Sequence, residues 1–276
     1  MMKKQRVWFI SGCSSGFGRG LARAALERGD CVAVTARNLD AVSDLVDKHA
    51  ARARAIQLDV TDSSSVRRAV AQAIEAFGRI DVLVNNAGYA LQGVFEDATD
   101  AQIRRVFETN VFGLMDLTRA VVSGMRTQGS GHIINLSSIV GRLSGPLLAY
   151  YSATKFAVEG LSEALAGELT DFGIRVTLIE PGPYATDFAS RSLDPIASSD
   201  AYVKLTERAN ASYAGMIFDD PQAVVDAIVQ VASLATPPLR LPVGTQALGM
   251  ARDALRAQST ELERWAGLST GGGYVV

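Results

Sequence analysis

Apolar residues along the chain gather into short runs bounded by turn-forming residues: Val7 to Ile10, Cys31 to Thr35, Ala53 to Leu58, Ile80 to Val84, Gly131 to Leu136 and Arg175 to Ile179, with a seventh at Leu239 to Pro242. Runs this short predict strands. Between them apolar positions recur at helical spacing, over Gly18 to Arg28, Leu39 to His49, Ser63 to Phe77, Thr99 to Met125, Tyr151 to Phe172 and Pro221 to Ala235. Val32-Ala33-Val34 and Val82-Leu83-Val84 are apolar throughout, which suits strands buried on both faces. The alternation predicts an α/β fold, a Rossmann-type doubly wound parallel sheet of about seven strands with helices on both faces.

Two stretches depart from this rhythm. From Pro183 to Asp220, Ser, Asp and Pro mix with Phe188, Leu193, Ile196, Tyr202, Tyr213, Met216, Ile217 and Phe218. This insertion reads as a mobile lid over a substrate, or else as two small, permanently packed helices. From about residue 244, with Gln246 to Trp265 at its centre, the pattern is a helical tail, followed by the flexible Ser269-Thr270-Gly271-Gly272-Gly273. No repeat or linker interrupts the pattern, so a single domain over residues 1–276 is expected.

Composition narrows the partners. Net charge is −2 with basic residues dispersed, giving no sign of a nucleic-acid-binding face or a membrane anchor. The basic start, Met1 to Arg6, precedes only the four apolar residues Val7 to Ile10, a first strand rather than an export signal. A cytoplasmic protein with a small-molecule partner is expected. Cys13 and Cys31 form no disulfide framework, and His49 and His132 stand apart from any ligand cluster, so no metal is expected.

The chemistry concentrates at two places. Ser11-Gly12-Cys13-Ser14-Ser15-Gly16-Phe17-Gly18 joins the first strand to the first helix, with glycines spaced G-x-x-x-G-x-G. Glycines there let a pyrophosphate approach backbone N–H groups at the positive end of a helix. Further on, Tyr151 and Lys155 lie four residues apart, on one face of a helix, with Ser138 thirteen residues upstream of the tyrosine. A cation beside a phenol favours the phenolate, so Lys155 is expected to lower the Tyr151 pKa from about 10 and fit it for acid-base work.

Gly12, Gly16 and Gly18, Asn85-Asn86-Ala87-Gly88, Asn110, Ser138, Tyr151, Lys155 and Pro181-Gly182 together resemble the short-chain dehydrogenase/reductase family, over residues 6 to about 190. Ser11 departs from the family's usual Thr but keeps the hydroxyl. The resemblance implies hydride transfer between a nicotinamide cofactor and an alcohol/carbonyl pair, with Tyr151 as acid, Ser138 holding the carbonyl oxygen, Lys155 binding the nicotinamide ribose and Asn110 holding a water that links Lys155 to solvent. It places Gly12, Ser14, Ser15, Gly16, Phe17, Gly18, Asp59, Val60, Asn86, Ala87, Gly88, Pro181, Gly182 and Thr186 against the cofactor, along with Tyr151 and Lys155.

Cofactor choice rests on the end of the second strand. Ala36 stands where related NAD enzymes usually carry Asp, and Arg37 can pair with a 2′-phosphate. NADP(H) is therefore preferred, with NAD(H) possible. Asn110, a poor helix former within a helical pattern, suggests a local kink. Tyr89-Ala90-Leu91 and Leu143 to Leu148 are expected to line a largely apolar substrate pocket. Family resemblance further implies a homodimer or homotetramer through Thr99 to Met125 and Tyr151 to Phe172. The alternatives are a non-catalytic NAD(P)-sensing protein and an epimerase or dehydratase of the wider family.

Overall fold

The computed structural model describes residues 5–184 and 193–271. Seven parallel strands form the main sheet: β1 (Val7–Ile10), β2 (Cys31–Ala36), β3 (Ala53–Gln57), β4 (Val82–Asn85), β6 (Gly131–Leu136), β7 (Ile174–Pro181) and β9 (Arg240–Val243). Their order across the sheet is β3-β2-β1-β4-β6-β7-β9. The chain therefore winds one way from β1 to β3 and the other way from β4 onward. That reversal opens a crevice beyond the C-terminal ends of β1 and β4, where ligands bind in sheets of this kind.

Strand alternation divides the core in two. Trp8 and Ile10 point to one face and pack with Leu21 and Leu26 of α1 (Gly16–Glu27) and with Val225 and Ile228 of α8 (Gln222–Val231). Phe9, between them, points to the other face. There it joins Val66 of α3 (Ser63–Phe77), Leu117, Val121 and Met125 of α5 (Gly113–Gln128) and Leu169 of α6 (Ala149–Leu169). Helix ends follow local chemistry. The Asp62 side chain accepts from the Ser64 N–H at 2.8 Å at the start of α3, and Gly78 closes that helix at φ 77°.

Three segments differ from the sequence pattern. Leu39 to His49 is not one helix but a 3-10 turn, Leu39–Val42, running into the short α2 (Ser43–Asp47). Thr99 to Met125 is interrupted: α4 (Asp100–Phe107) widens into a π-turn at Glu108–Phe112 before α5 begins. The expected kink at Asn110 is this turn. In the insertion, β8 (Leu193–Pro195) pairs in parallel with β5 (Ala90–Gln92) as a separate two-stranded sheet, and α7 (Val203–Ala214) follows. Strands of three residues leave too little alternation to read.

The tail is the helix α9 (Thr245–Ser269), which buries only Ala247 and Ala251. No helix among the described residues is long and apolar enough to cross a membrane.

Candidate active site

The turn after β1 is built by close backbone packing. Gly12 takes φ 75° and Gly16 φ 55°, and a Cβ on Gly18 would lie 2.3 Å from the Gly12 carbonyl oxygen and 2.4 Å from Asn86 Nδ2. Only glycine lets α1 start this near the strand end. Ser15, in extended conformation, precedes the helix without a side-chain cap, so the first-turn N–H groups are left to an anion. The Ser11 hydroxyl accepts from the N–H groups of Asn86 (2.9 Å) and Ala87 (3.0 Å), while Asn86 Nδ2 donates to the carbonyls of Ser11 (2.9 Å) and Gly12 (3.1 Å). One hydroxyl and one amide thus lock the glycine turn to the segment after β4.

These two segments form one side of a cavity of about 740 Å³, lined also by Ala36, Arg37, Asp59, Val60, Ser138, Tyr151, Lys155, Pro181 and Gly182. The size falls in the range of ligand pockets. Asp59 does not cap α3; that is the work of Asp62, and Asp59 Oδ1 accepts instead from the N–H (3.0 Å) and hydroxyl (2.7 Å) of Thr61. Val60 is pressed against the start of α5: a Cβ on Gly113 would come within 2.8 Å of its carbonyl oxygen. Ser14, Gly16, Phe17 and Gly88 also line the cavity. Thr186 lies outside the described residues.

The catalytic candidates meet at the other side. Ser138, two residues beyond β6, lies beside the Tyr151 phenol on the cavity wall and draws its pKa down. Below them, Lys155 is buried, with Nζ 5.6 Å from the centre of the Tyr151 ring and donating to the Leu136 carbonyl at 2.7 Å. The adjacent tyrosine and serine in the chain, Tyr150 and Ser137, stay out of this group. Tyr150 stacks on Phe95 and donates to its carbonyl at 2.9 Å, and Ser137 Oγ is buried without a partner among the described residues.

Electrostatics correct one expectation. Burial pushes the Tyr151 phenol up to about 12, outweighing Ser138, which pulls the other way. Burial also pushes the Lys155 ammonium down to about 8, opposed by the Glu159 carboxylate. The lowering of the tyrosine expected from Lys155 does not occur: desolvation disfavours the charged form of both groups.

Asn110 is buried inside the π-turn and fully engaged. Its amide oxygen accepts from the Tyr89 N–H at 3.0 Å, and Nδ2 donates to the Tyr89 carbonyl at 2.8 Å and to Thr154 Oγ1 at 3.1 Å. Thr154 in turn donates to the Tyr151 carbonyl at 2.7 Å. Thr154, a link between Asn110 and the tyrosine, is not evident from sequence; its place between Tyr151 and Lys155 was the available signal. Likewise unread were Arg105 and Asp194, which form an ion pair on the cavity wall, with Arg105 Nε donating to Tyr89 Oη at 3.3 Å. Charges so far apart in sequence carry no local sign of pairing.

A second polar chain orders the sheet. Asn85 Nδ2 donates to Thr118 Oγ1 (3.0 Å) and Asn135 Oδ1 (2.8 Å), and Asn135 Nδ2 donates to Ser162 Oγ (2.8 Å), joining α5, β4, β6 and α6. Asn85 Oδ1 is the one amide atom of this polar chain left without a partner among the described residues.

Known proteins agree with this architecture. Residues 6–196 match the family model of the short chain dehydrogenases. An oxidoreductase of Botryotinia fuckeliana is 38% identical over 96% of this chain and 98% of its own length. A 3-ketodihydrosphingosine reductase of Bacteroides thetaiotaomicron is 36% identical over 87% of this chain and 88% of its own. The crystal structure of a short-chain dehydrogenase from Streptomyces avermitilis superimposes with a TM-score of 0.91 at 40% identity, covering 99% of this chain and 100% of that one. A short chain dehydrogenase/reductase from Burkholderia phymatum in complex with NAD gives 0.80 at 26% identity, covering 95% and 96%. A serine dehydrogenase complexed with NADP+ gives 0.75 at 29%, covering 85% and 93%. With a Rossmann-type crevice and structural neighbours solved in complex with NAD or NADP, the chain belongs to the short-chain dehydrogenase family of NAD(P)-dependent oxidoreductases.

Proposed function

We propose that the protein transfers hydride between NADP(H) and an alcohol/carbonyl pair, working mainly as a reductase of a largely apolar ketone or aldehyde. The observation that carries the reading is that Ser138, Tyr151 and buried Lys155 are brought together on one cavity wall. When bound, the reduced cofactor supplies hydride to the carbonyl carbon. Tyr151 gives its proton to the carbonyl oxygen while Ser138 donates a hydrogen bond to the same oxygen as charge develops there. Lys155 holds a positive charge beside the phenol and would bind the nicotinamide ribose. Asn110 fixes Tyr89 and, through Thr154, the turn of α6 that carries Tyr151; the widened turn around it is suited to hold the water for proton return.

Arg37, exposed at the cavity edge directly after Ala36, supports NADP(H): no acid occupies the end of β2 to meet a 2′-hydroxyl, and the Arg37 guanidinium would pair with a 2′-phosphate. An apolar substrate is supported by Leu193, Tyr184 and Phe218 on the cavity wall and by the 3-ketodihydrosphingosine reductase among the relatives. Assembly as a homodimer or homotetramer through α4, α5 and α6 is supported by exposed Phe112 and Phe156. The deciding experiment follows oxidation of NADPH and NADH against aldehydes and ketones of graded chain length. NADPH should be consumed faster as apolar length grows. No consumption of either cofactor across the series would sink the reading, and a preference for NADH would remove its cofactor half.

A further inference from the structure

Beneath the Ser138 turn, outside the cofactor cavity, lies a buried patch of charge. Glu180 is fully buried in β7, immediately before Pro181-Gly182, and its Oε2 accepts from Arg142 Nε at 2.6 Å. Arg142 follows Ser138 by four residues. Glu159 is buried in α6, one helical turn beyond Lys155, and its Oε2 accepts from Arg240 Nε of β9 at 2.8 Å; Arg240 Nη2 also donates to Glu163 at 2.6 Å. The second oxygen of each buried carboxylate, and Ser137 Oγ, have no hydrogen-bond partner among the described residues. Gly141 sits among them, where a Cβ would come within 2.8 Å of Ser137 Oγ and 3.3 Å of Glu159 Oε1.

Buried ion pairs are poor devices for stability, because well-packed apolar groups of similar size serve as well or better. What sets this patch apart is that, through β9 and the turn after β6, it holds the segments that carry the site. The turn after β6 carries Ser138, α6 carries Tyr151 and Lys155, and β7 leads into Pro181-Gly182 at the cavity.

We propose that Glu159 and Glu180 are positioning residues for the Ser138–Tyr151–Lys155 centre: with Arg142 and Arg240 they lock the Ser138 turn to β7 and α6 to β9, and Glu159 supplies the counter-charge one turn from Lys155. The proposal rests on the oxidoreductase reading above. Burial raises the Glu180 pKa, with Glu159 adding to the shift and Arg142 opposing it, so Glu180 keeps its proton further up the pH scale than an exposed glutamate. A proton there turns one orphaned acceptor into a donor. Glu159 meanwhile holds up the Lys155 pKa against burial. Other charges facing the patch are Glu163 of α6, Arg142 of the turn and Arg240 of β9. In α9 the first charged residue is the exposed Arg252, and the end of β6, Asn135 to Ser137, adds none.

The test compares Glu159→Gln, Glu180→Gln and Glu180→Ala with the native chain in kcat, KM, cofactor Kd and melting temperature across pH. Glu159→Gln should shift the alkaline fall of kcat down by roughly half a pH unit or more, with cofactor Kd at neutral pH within about twofold. Glu180→Ala should lower kcat about tenfold with little change in cofactor Kd, and Glu180→Gln, which keeps an acceptor for Arg142, should recover most of it. Folded Glu159→Gln and Glu180→Ala proteins whose kcat and pH profile superimpose on those of the native chain would overturn the proposal, even if their melting temperatures fall. Where a variant does not fold, Arg142→Lys and Arg240→Lys take its place under the same criteria. The pH dependence of reduced-cofactor binding gives a readout independent of turnover. If the native chain binds cofactor but turns nothing over, the oxidoreductase reading fails; this proposal then stands or falls on whether Glu159→Gln moves the binding midpoint.

Discussion

On the glycine-turn side of the cavity, backbone lies against backbone: Gly18 against the Gly12 carbonyl, and the Asn86 and Ala87 N–H groups on the Ser11 hydroxyl. On the far side, the segment after residue 192 is held by a three-residue parallel pairing, Ala90–Gln92 with Leu193–Pro195, and by the exposed Arg105–Asp194 ion pair. The first wall admits almost no substitution. The second is made of contacts that many side chains could replace. A fold that keeps one ligand in common and varies the other is served by that difference, since loops change partners more readily than glycine-packed turns.

The comparison can be pressed by mutation. Tyr151→Phe keeps the ring and removes the proton. Turnover should fall by about 10²–10⁴, with cofactor binding retained, as read by initial rates beside fluorescence titration. Gly18→Ala should cost about 1–3 kcal/mol by overpacking against Gly12 and Asn86, visible in chemical denaturation, and weaken cofactor binding. An unchanged midpoint would show that the turn yields more than its geometry suggests.

Smaller effects belong to the periphery. Arg37→Ala should weaken NADPH relative to NADH by about tenfold in kcat/KM. Arg105→Gln, on the tolerant wall, should change stability by less than about 1 kcal/mol, because an exposed pair contributes little. A larger loss would place the second wall beside the first.

Protonation offers a further check. Lys155 has a folded pKa of about 8 against 10.5 for a solvated lysine, so the unfolded chain binds more protons between those limits. Its contribution therefore makes the fold more stable as pH rises from about 8 toward 10.5. Tyr151, at about 12 against 10.0, acts oppositely above pH 10. Subtracting the stability curve of Lys155→Met from that of the native chain should show the rise between pH 8 and 10; a flat difference would mean the ammonium is better solvated than its burial implies. In the reduction, loss of this proton should depress activity above about pH 8.

Much of the fold was legible because strand burial on both faces leaves no polar residue in runs such as Val82-Leu83-Val84, and because the glycine turn permits few alternatives. The seventh strand, read at Leu239 to Pro242, lies at Arg240–Val243. Leu39 to His49 misled because its helical spacing is shared by a 3-10 turn and a single turn of helix. The site was legible in its chemistry but not in its electrostatics: burial, which pushes Tyr151 up, depends on neighbours from other elements. Glu159 and Glu180 were invisible for a similar reason. A glutamate ending the apolar run Thr177-Leu178-Ile179 hints at burial, but Arg142 and Arg240 are brought to the pair only by folding.

The π-turn at Glu108–Phe112 has one more consequence. It gives the chain one residue beyond what a regular helix from α4 to α5 would need. Deleting one residue there would close the turn into regular helix and leave the register of α5 in place. Leu117, Val121 and Met125 would stay in the core, and Thr118 would stay on Asn85. What would be lost is the widened turn itself, where Asn110 holds Tyr89 and Thr154. A one-residue deletion here would be read by the active site, not by the sheet.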